Sequence, residues 1–295
     1  MAAPTAGAAP VARATPVARA TPVARATPAR SAAEQAGVLV TSRPLDEYCR
    51  LFGLTRAGLA ALPGPLLDCP GGAAGLAAEA RELGCHVIAT DPAYARPAPE
   101  VAARALAARE TMAAAMAARP DLHPAPRRHP GDHYLRSWDR ARRLFTADAA
   151  AHPQQYVAAA LPRLPFADGT FALTLSGYLI FAYPELFGPD RQLAALTELV
   201  RVTAPDGEVR VHPLNDGTGR RCPHLDALRH ALGERWIASE VRRVAPTGAD
   251  RPRRVLVLRR ADHRRRAAAE PRAELRRPAG ARRPDRAAGG GRAAG

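Results

Sequence analysis

Asp68 and Asp91 are the residues whose type and placement first suggest chemistry. Leu66-Leu67-Asp68 ends a short apolar run, and Cys69-Pro70-Gly71-Gly72-Ala73 follows it as a turn. Val87-Ile88-Ala89-Thr90 is a second apolar run that stops at Asp91-Pro92. If both runs are parallel strands joined by a right-handed crossover, their carboxyl ends face the same edge of a sheet. A nucleotide-like ligand binds outside such an edge. Glycines there let it approach the backbone, and a strand-terminal carboxylate can accept hydrogen bonds from both ribose hydroxyls. Many strand-to-helix turns contain a glycine pair, so the spacing to Asp91 is what makes this pair informative.

The elements that must position these residues alternate along the chain. Residues 73–83 read as a helix with Gly84 at its C-terminal cap. Residues 155–159, 171–176 and 208–212 read as the third, fourth and fifth strands, with a helix at about 193–202 and a Pro205-Asp206-Gly207 turn between that helix and the fifth strand. Residues 236–244 and 254–259 read as an antiparallel hairpin. The expected class is therefore α/β, a Rossmann-like, mostly parallel seven-stranded sheet closed by a C-terminal antiparallel hairpin. Residues 96–153, between strands 2 and 3, are too long for a plain crossover. They read as a helical insertion: helices at 100–119 and 134–150 flank a proline- and histidine-rich stretch at 120–131. Either a cap over substrate or a purely structural insertion fits.

Composition sets the outer limits. The 295 residues include 43 basic ones, all arginine, and carry a net charge of +15. Such a balance ordinarily points to a polyanionic partner. Here the tails carry most of it: residues 1–33 contribute +4 and residues 263–295 contribute +7, which leaves +4 on residues 34–262, the expected folded domain. Val-Ala-Arg-Ala-Thr-Pro recurs at Val11, Val17 and Val23, and a proline every six residues prevents a regular ladder. Both tails read as disordered. The first is either a basic anchoring arm or a solvated repeat, and contact with nucleic acid through either tail would be nonspecific and electrostatic. Cys49, Cys69, Cys85 and Cys222 form no pair at metal-ligand spacing, and His123, His129 and His133 lack it too, so no metal is expected. No apolar run approaches membrane-spanning length, and no signal core is visible, so a cytoplasmic protein without membrane contact is expected. Oligomeric state is open.

The motifs together resemble those of class I S-adenosylmethionine-dependent methyltransferases, in particular poorly characterised actinobacterial members. The segments that carry the resemblance are residues 66–72, 87–92, the run Leu164-Pro165-Phe166-Ala167-Asp168-Gly169-Thr170-Phe171, Pro205-Asp206-Gly207-Glu208 and the terminal hairpin. The match spans roughly residues 59–260 outside the insertion. It implies S-adenosyl-L-methionine as cofactor and methyl transfer to a small-molecule acceptor. It also implies a binding site made of Asp68, Cys69, Pro70, Gly71, Gly72, Asp91, Pro92, Pro162, Leu164, Ser176 and Gly177. Gly71 and Gly72 would border the methionine portion, Asp91 the ribose, and residues 162–164 the adenine. The family turn is acid-x-Gly-x-Gly-x-Gly; this chain has Pro70 and Ala74 at the first and third glycine positions. In-line methyl transfer depends largely on alignment, so no catalytic motif is obligatory. His212 and Tyr178, with Tyr183, are candidate bases or orienting groups, although a structural or solvated role for His212 and packing for the tyrosines are the readings favoured.

Three other functions fit less of the pattern. A catalytically degenerate member would bind the cofactor or scaffold a partner, as the departures in the turn suggest. A nucleic-acid methyltransferase is suggested only by the arginine tails, and Ser176-Gly177-Tyr178-Leu179 stands where an Asn-Pro-Pro-Tyr-type tetrapeptide would serve base methylation. A nicotinamide dehydrogenase would require Gly-x-Gly-x-x-Gly, which the turn lacks.

Overall fold

The structure is a computed structural model, and it describes residues 38–118, 131–245 and 253–261. The expectations for both tails, and for His123 and His129, lie outside the described residues. Helices α1 (Leu45–Phe52) and α2 (Arg56–Ala60) precede the first strand. Then follow β1 (Leu66–Asp68), α3 (Leu76–Arg81), β2 (Val87–Thr90), the insertion helices α4 (Ala98–Ala118) and α5 (Gly131–Ala151), and β3 (Tyr156–Val157). The chain continues through β4 (Phe171–Gly177), α6 (Pro189–Val202), β5 (Thr203–His212), α7 (Leu225–Glu234), β6 (Ile237–Val244) and β7 (Arg253–Arg260).

The seven strands form one sheet in the order β3-β2-β1-β4-β5-β7-β6. All pairs among the first five strands are parallel, and β7 is antiparallel to both β5 and β6. This is the Rossmann-like sheet with a closing hairpin that the sequence predicts. The central strands β1, β2 and β4 are largely buried because both faces of the sheet are covered there. On one face Leu67, Val209, Leu256 and Leu258 pack with Leu196, Leu199 and Leu232 of α6 and α7. On the other, Leu66, Leu175, Val255 and Val257 pack with Leu45, Leu51, Phe52 and Leu76 of α1 and α3.

Two local expectations are corrected. Helix α3 starts at Leu76, not Ala73. Gly72 is left-handed (φ 55°), and the N–H groups of Ala73 and Gly75 donate to the carbonyls of Thr41 and Arg43 rather than to a helix. The segment before α1 thus satisfies N–H groups of the turn, and the first helical hydrogen bond runs from the Glu79 N–H to the Gly75 carbonyl. Second, Pro205-Asp206-Gly207 lies inside β5 and not before it. Phe171 pairs with Thr203, whereas Leu173 pairs with Glu208, so the turn residues bulge out between two paired stretches of one strand.

The insertion is built into the fold. In α5, Asp148 accepts two hydrogen bonds from Arg81 of α3, at 3.2 and 3.1 Å, and one from the Tyr156 hydroxyl at 2.7 Å. Val101, Ala105, Phe145 and Ala149 share a core with Val40, Ala73 and Ala93. No helix among the described residues is long and apolar enough to cross a membrane.

Candidate functional site

A cavity of about 1070 Å³ opens at the carboxyl ends of four parallel strands. Its walls include Pro70 to Gly72 after β1, Asp91 to Ala93 after β2, Gly177 to Leu179 after β4, and His212 to Leu214 at and after β5. β1 and β4 are neighbours from which the connections depart in opposite directions across the sheet. That switch point is where open α/β sheets bind ligands. The volume lies just above the roughly 300–1,000 Å³ typical of small-molecule sites, enough for more than one small ligand.

The segment leading into α1 closes the cavity from above. Val38 to Thr41, Arg43, Tyr48 and Phe52 all line it, although the sequence reading assigned no role to any of them. The signal was present in the spacing of Leu45, Tyr48, Leu51 and Phe52 behind Pro44, one apolar helix face with a proline at its start. Arg210 of β5 holds the far end of α1 by donating to the Phe52 and Gly53 carbonyls, at 2.8 and 3.2 Å.

The glycine turn is shaped by this overlying segment. A Cβ on Gly72 would stand 2.7 Å from the Thr41 carbonyl oxygen, and one on Gly71 would stand 2.9 Å from the Ala89 Cβ. Gly72 also accepts from the Tyr94 hydroxyl at 2.8 Å. Gly72→Ala is therefore expected to cost roughly 2–3 kcal/mol, combining left-handed strain with displacement of Thr41. Urea unfolding measures it, and a loss under about 0.5 kcal/mol would show that the overlying segment yields without resistance.

Asp91 is buried, and both its carboxylate oxygens hold backbone. Oδ1 accepts from Ala93 N–H at 2.8 Å and Oδ2 from Gly72 N–H at 3.0 Å. Burial raises its pKa, while these two N–H groups and Arg104 oppose the rise. Each oxygen keeps a second lone-pair site for a ligand. Asp68 lies beneath the cavity rather than in its lining. Its Oδ2 accepts from the Tyr48 hydroxyl at 2.8 Å, and its Oδ1 is buried without a partner. Burial lifts its pKa to about 7, with the Tyr48 hydrogen bond and Arg43 pulling the other way. Cys69 and Ser176 are also buried below the lining, and burial pushes the Cys69 thiol up to about 12, which leaves it a poor nucleophile.

Tyr178 and His212 face each other across the ends of β4 and β5. Their rings meet edge to face with centroids 5.6 Å apart, and Phe52 stands against His212 at 6.3 Å. Tyr178 has a left-handed backbone (φ 53°), and its N–H donates to the His212 carbonyl at 2.7 Å. A non-glycine residue in that conformation is a strained feature of the kind that clusters at functional sites. The Arg254 carbonyl lies 3.0 Å from His212 Nδ1. A carbonyl can only accept, so Nδ1 carries the proton and Nε2 presents a lone pair. Burial lowers the His212 pKa to about 4, and Arg253 and Arg43 add to the lowering, so the imidazole is neutral at pH 7. The Tyr178 hydroxyl and His212 Nε2 are both buried without a partner in the protein.

The structure thus gathers Pro70, Gly71, Gly72, Asp91, Pro92, Gly177, Tyr178, Tyr183 and His212 around one cavity. It does not bring Pro162 or Leu164 into the lining. Leu164 packs in the core, its N–H donates to Glu198 of α6 at 2.6 Å, and Arg201 donates to the Leu164 and Phe166 carbonyls. The run from Leu164 to Phe171, the most specific stretch of the sequence pattern, is thus tied down by α6.

No family model matches the chain. An uncharacterized protein of Methanocaldococcus jannaschii is 20% identical over 204 residues, covering 64% of this chain and 84% of that protein. Among solved structures, the Burkholderia thailandensis 1,6-didemethyltoxoflavin-N1-methyltransferase, with 1,6-didemethyltoxoflavin and S-adenosylhomocysteine bound, aligns with a TM-score of 0.38. It is 17% identical and covers 70% of this chain and 76% of its own. The CcbJ methyltransferase of Streptomyces caelestis aligns with a TM-score of 0.38 at 14% identity, covering 70% of this chain and 86% of its own. The position of the cavity, rather than these likenesses, is what bears on function.

Proposed function

We propose that the chain binds S-adenosyl-L-methionine in this cavity and transfers its methyl group to a small-molecule acceptor. The observation that carries the proposal is the cavity's position at the carboxyl ends of β1, β2, β4 and β5, on the switch point of a sheet with an antiparallel closing hairpin. The lining fits such a cofactor. Gly71 and Gly72 leave backbone accessible, Asp91 keeps one lone-pair site on each oxygen, and two buried polar atoms, the Tyr178 hydroxyl and His212 Nε2, lack protein partners. When bound, the cofactor supplies an electrophilic methyl group. The residues of the chain orient the acceptor and exclude water, and alignment supplies much of the rate. A small acceptor suits a cavity roofed by residues 38–43 better than a polymer does.

Isothermal titration with S-adenosylhomocysteine tests this reading. Binding is expected, weakened about tenfold or more in Asp91→Asn, which keeps the shape but replaces one acceptor oxygen by a donor. Correctly folded protein that binds none, or an Asp91→Asn variant that binds unchanged, would sink it. Binding without methyl transfer to any of a broad acceptor panel would support a cofactor-binding or scaffold protein instead.

A further inference from the structure

Every polar group of the Gly71-Gly72 backbone is taken by the protein itself. The Gly71 N–H donates to the Thr90 carbonyl at 2.8 Å, and the Gly71 carbonyl accepts from the Ala74 N–H at 3.2 Å. The Gly72 N–H donates to Asp91 Oδ2 at 3.0 Å, and the Gly72 carbonyl accepts from the Tyr94 hydroxyl at 2.8 Å. Gly72 is thus clasped on both sides by the chain that follows β2, with Asp91 on its N–H and Tyr94 on its carbonyl. The Tyr94 N–H in turn donates to the Asp91 carbonyl at 3.1 Å, which makes residues 91–94 one tight turn.

The Tyr94 hydroxyl also accounts for Gly71, because a Cβ on Gly71 would run into that hydroxyl as well as into Ala89. The insertion seats the ring from the far side. Phe145 of α5 stacks on Tyr94 with centroids 5.9 Å apart and planes 21° apart, and Tyr156 meets both rings edge to face at 5.4 Å. None of the three rings lines the cavity, so they act on it only through the turn. Burial, with the Asp91 charge next, raises the Tyr94 pKa well above its ordinary value, so the phenol stays protonated and remains a donor.

We infer that Tyr94 is a positioning residue of this site: its hydroxyl fixes the Gly72 peptide, and through the Gly72 N–H it fixes the direction of the Asp91 carboxylate in the cavity wall. What Asp91 then receives rests on the cofactor reading proposed above; the clasp itself is present in the ligand-free protein. Without the hydroxyl the Gly72 carbonyl loses its donor, and the peptide can turn away from Asp91 Oδ2. A carboxylate held in advance spares a ligand the cost of ordering it. The insertion then serves the site by bracing the glycine turn, in addition to the wall that Arg104 and Met112 contribute to the cavity.

The test uses the full chain and two readouts, calorimetric titration with S-adenosylhomocysteine and hydrogen exchange at the Gly72 amide of the ligand-free protein. Tyr94→Phe keeps the stacked ring and removes the hydroxyl. It should bind about fivefold more weakly than the parent and exchange the Gly72 amide about tenfold faster. Tyr156→Phe removes a hydroxyl from the same ring cluster, but one that donates to Asp148 and not to the turn. Its affinity should stay within about twofold of the parent, with Gly72 exchange unchanged. Because Tyr94 acts through Asp91, the double variant Asp91→Asn/Tyr94→Phe should lose at most about twice what Asp91→Asn loses alone, against the roughly fivefold further loss that independent effects would give. A tyrosine that only packs would lower stability and leave both readouts at the parent's values. Unchanged affinity or unchanged Gly72 exchange in Tyr94→Phe overturns the inference, as does a loss in the double variant equal to the product of the single losses. A parent that binds no S-adenosylhomocysteine sinks the cofactor reading, and the exchange arm then decides the clasp by itself: faster exchange in Tyr94→Phe upholds it.

Discussion

Glu47→Gln is expected to lower the unfolding free energy by about 3–5 kcal/mol, the range for removing one partner of a buried ion pair. The Glu47 side chain is fully buried. Its Oε1 accepts from Arg43 Nε at 2.8 Å and its Oε2 from Trp138 Nε1 at 2.7 Å. Glutamine keeps the volume but has one acceptor oxygen for two donors, and it leaves the Arg43 guanidinium without its carboxylate. Three parts of the molecule meet here: the segment over the cavity through Arg43, helix α1 through Glu47, and the insertion through Trp138. The loss should therefore appear as instability and also as opening of the segment over the glycine turn, visible as faster hydrogen exchange at Ala73 and Gly75, whose N–H groups it holds. The double variant Arg43→Met/Glu47→Leu removes both charges and should recover more than half of the loss, because a buried pair is often replaceable by apolar groups at little cost. A single-variant loss below about 1 kcal/mol in urea unfolding would show that the pair is solvated in solution.

The same cluster explains what the sequence hides. Strand ends were legible because punctuation marks them: Asp68 with its turn, Asp91-Pro92, and the apolar runs of β4 and β7. Even the insertion announced itself by its length. Arg43 and Glu47 gave no such signal, because two charges four positions apart read as a solvated helix pair until tertiary structure buries them. The start of α3 was misplaced for a related reason. Ala73 and Ala74 have high helix propensity, yet they belong to a turn that follows the left-handed Gly72 and is packed against the Thr41 and Arg43 carbonyls, contacts that come from a distant part of the chain. Pro205-Asp206-Gly207 was correctly read as a turn and wrongly placed, since no local pattern tells a turn between elements from a bulge within one strand. Around the cavity, residue types at strand ends singled out Gly71, Gly72, Asp91, Tyr178 and His212, all of which lie in its lining. They could not show that Asp91 binds the turn next to it, or that Leu164 faces α6.

Stability should respond to pH in opposite directions when Asp68 and His212 are each neutralised, and the two effects in the intact protein should largely cancel. The folded pKa of Asp68, about 7, lies above the ordinary carboxylate value because burial penalises the charged form. Between pH 4 and 7 the folded state therefore binds more protons at Asp68 than the unfolded chain does, and this group removes stability as pH rises, by about 4 kcal/mol across that span at about 1.36 kcal/mol per unit. His212 is the reverse case. Its folded pKa of about 4 lies below the unfolded value, so between pH 4 and 6.5 the unfolded chain binds the extra proton, and stability is lost as pH falls, by about 3 kcal/mol. With both present, the opposing slopes offset each other over most of this window. Asp68→Asn leaves the histidine contribution alone, so this variant should gain stability relative to the parent as pH rises from 4 to 7. His212→Asn leaves the aspartate contribution alone, so its gain relative to the parent should grow as pH falls from 6.5 to 4. Urea unfolding of the three proteins at half-unit pH steps gives the two difference curves. Curves of opposite slope are the expected result; two flat curves would mean that water reaches both groups in the folded protein and that neither is held in its buried, uncharged form.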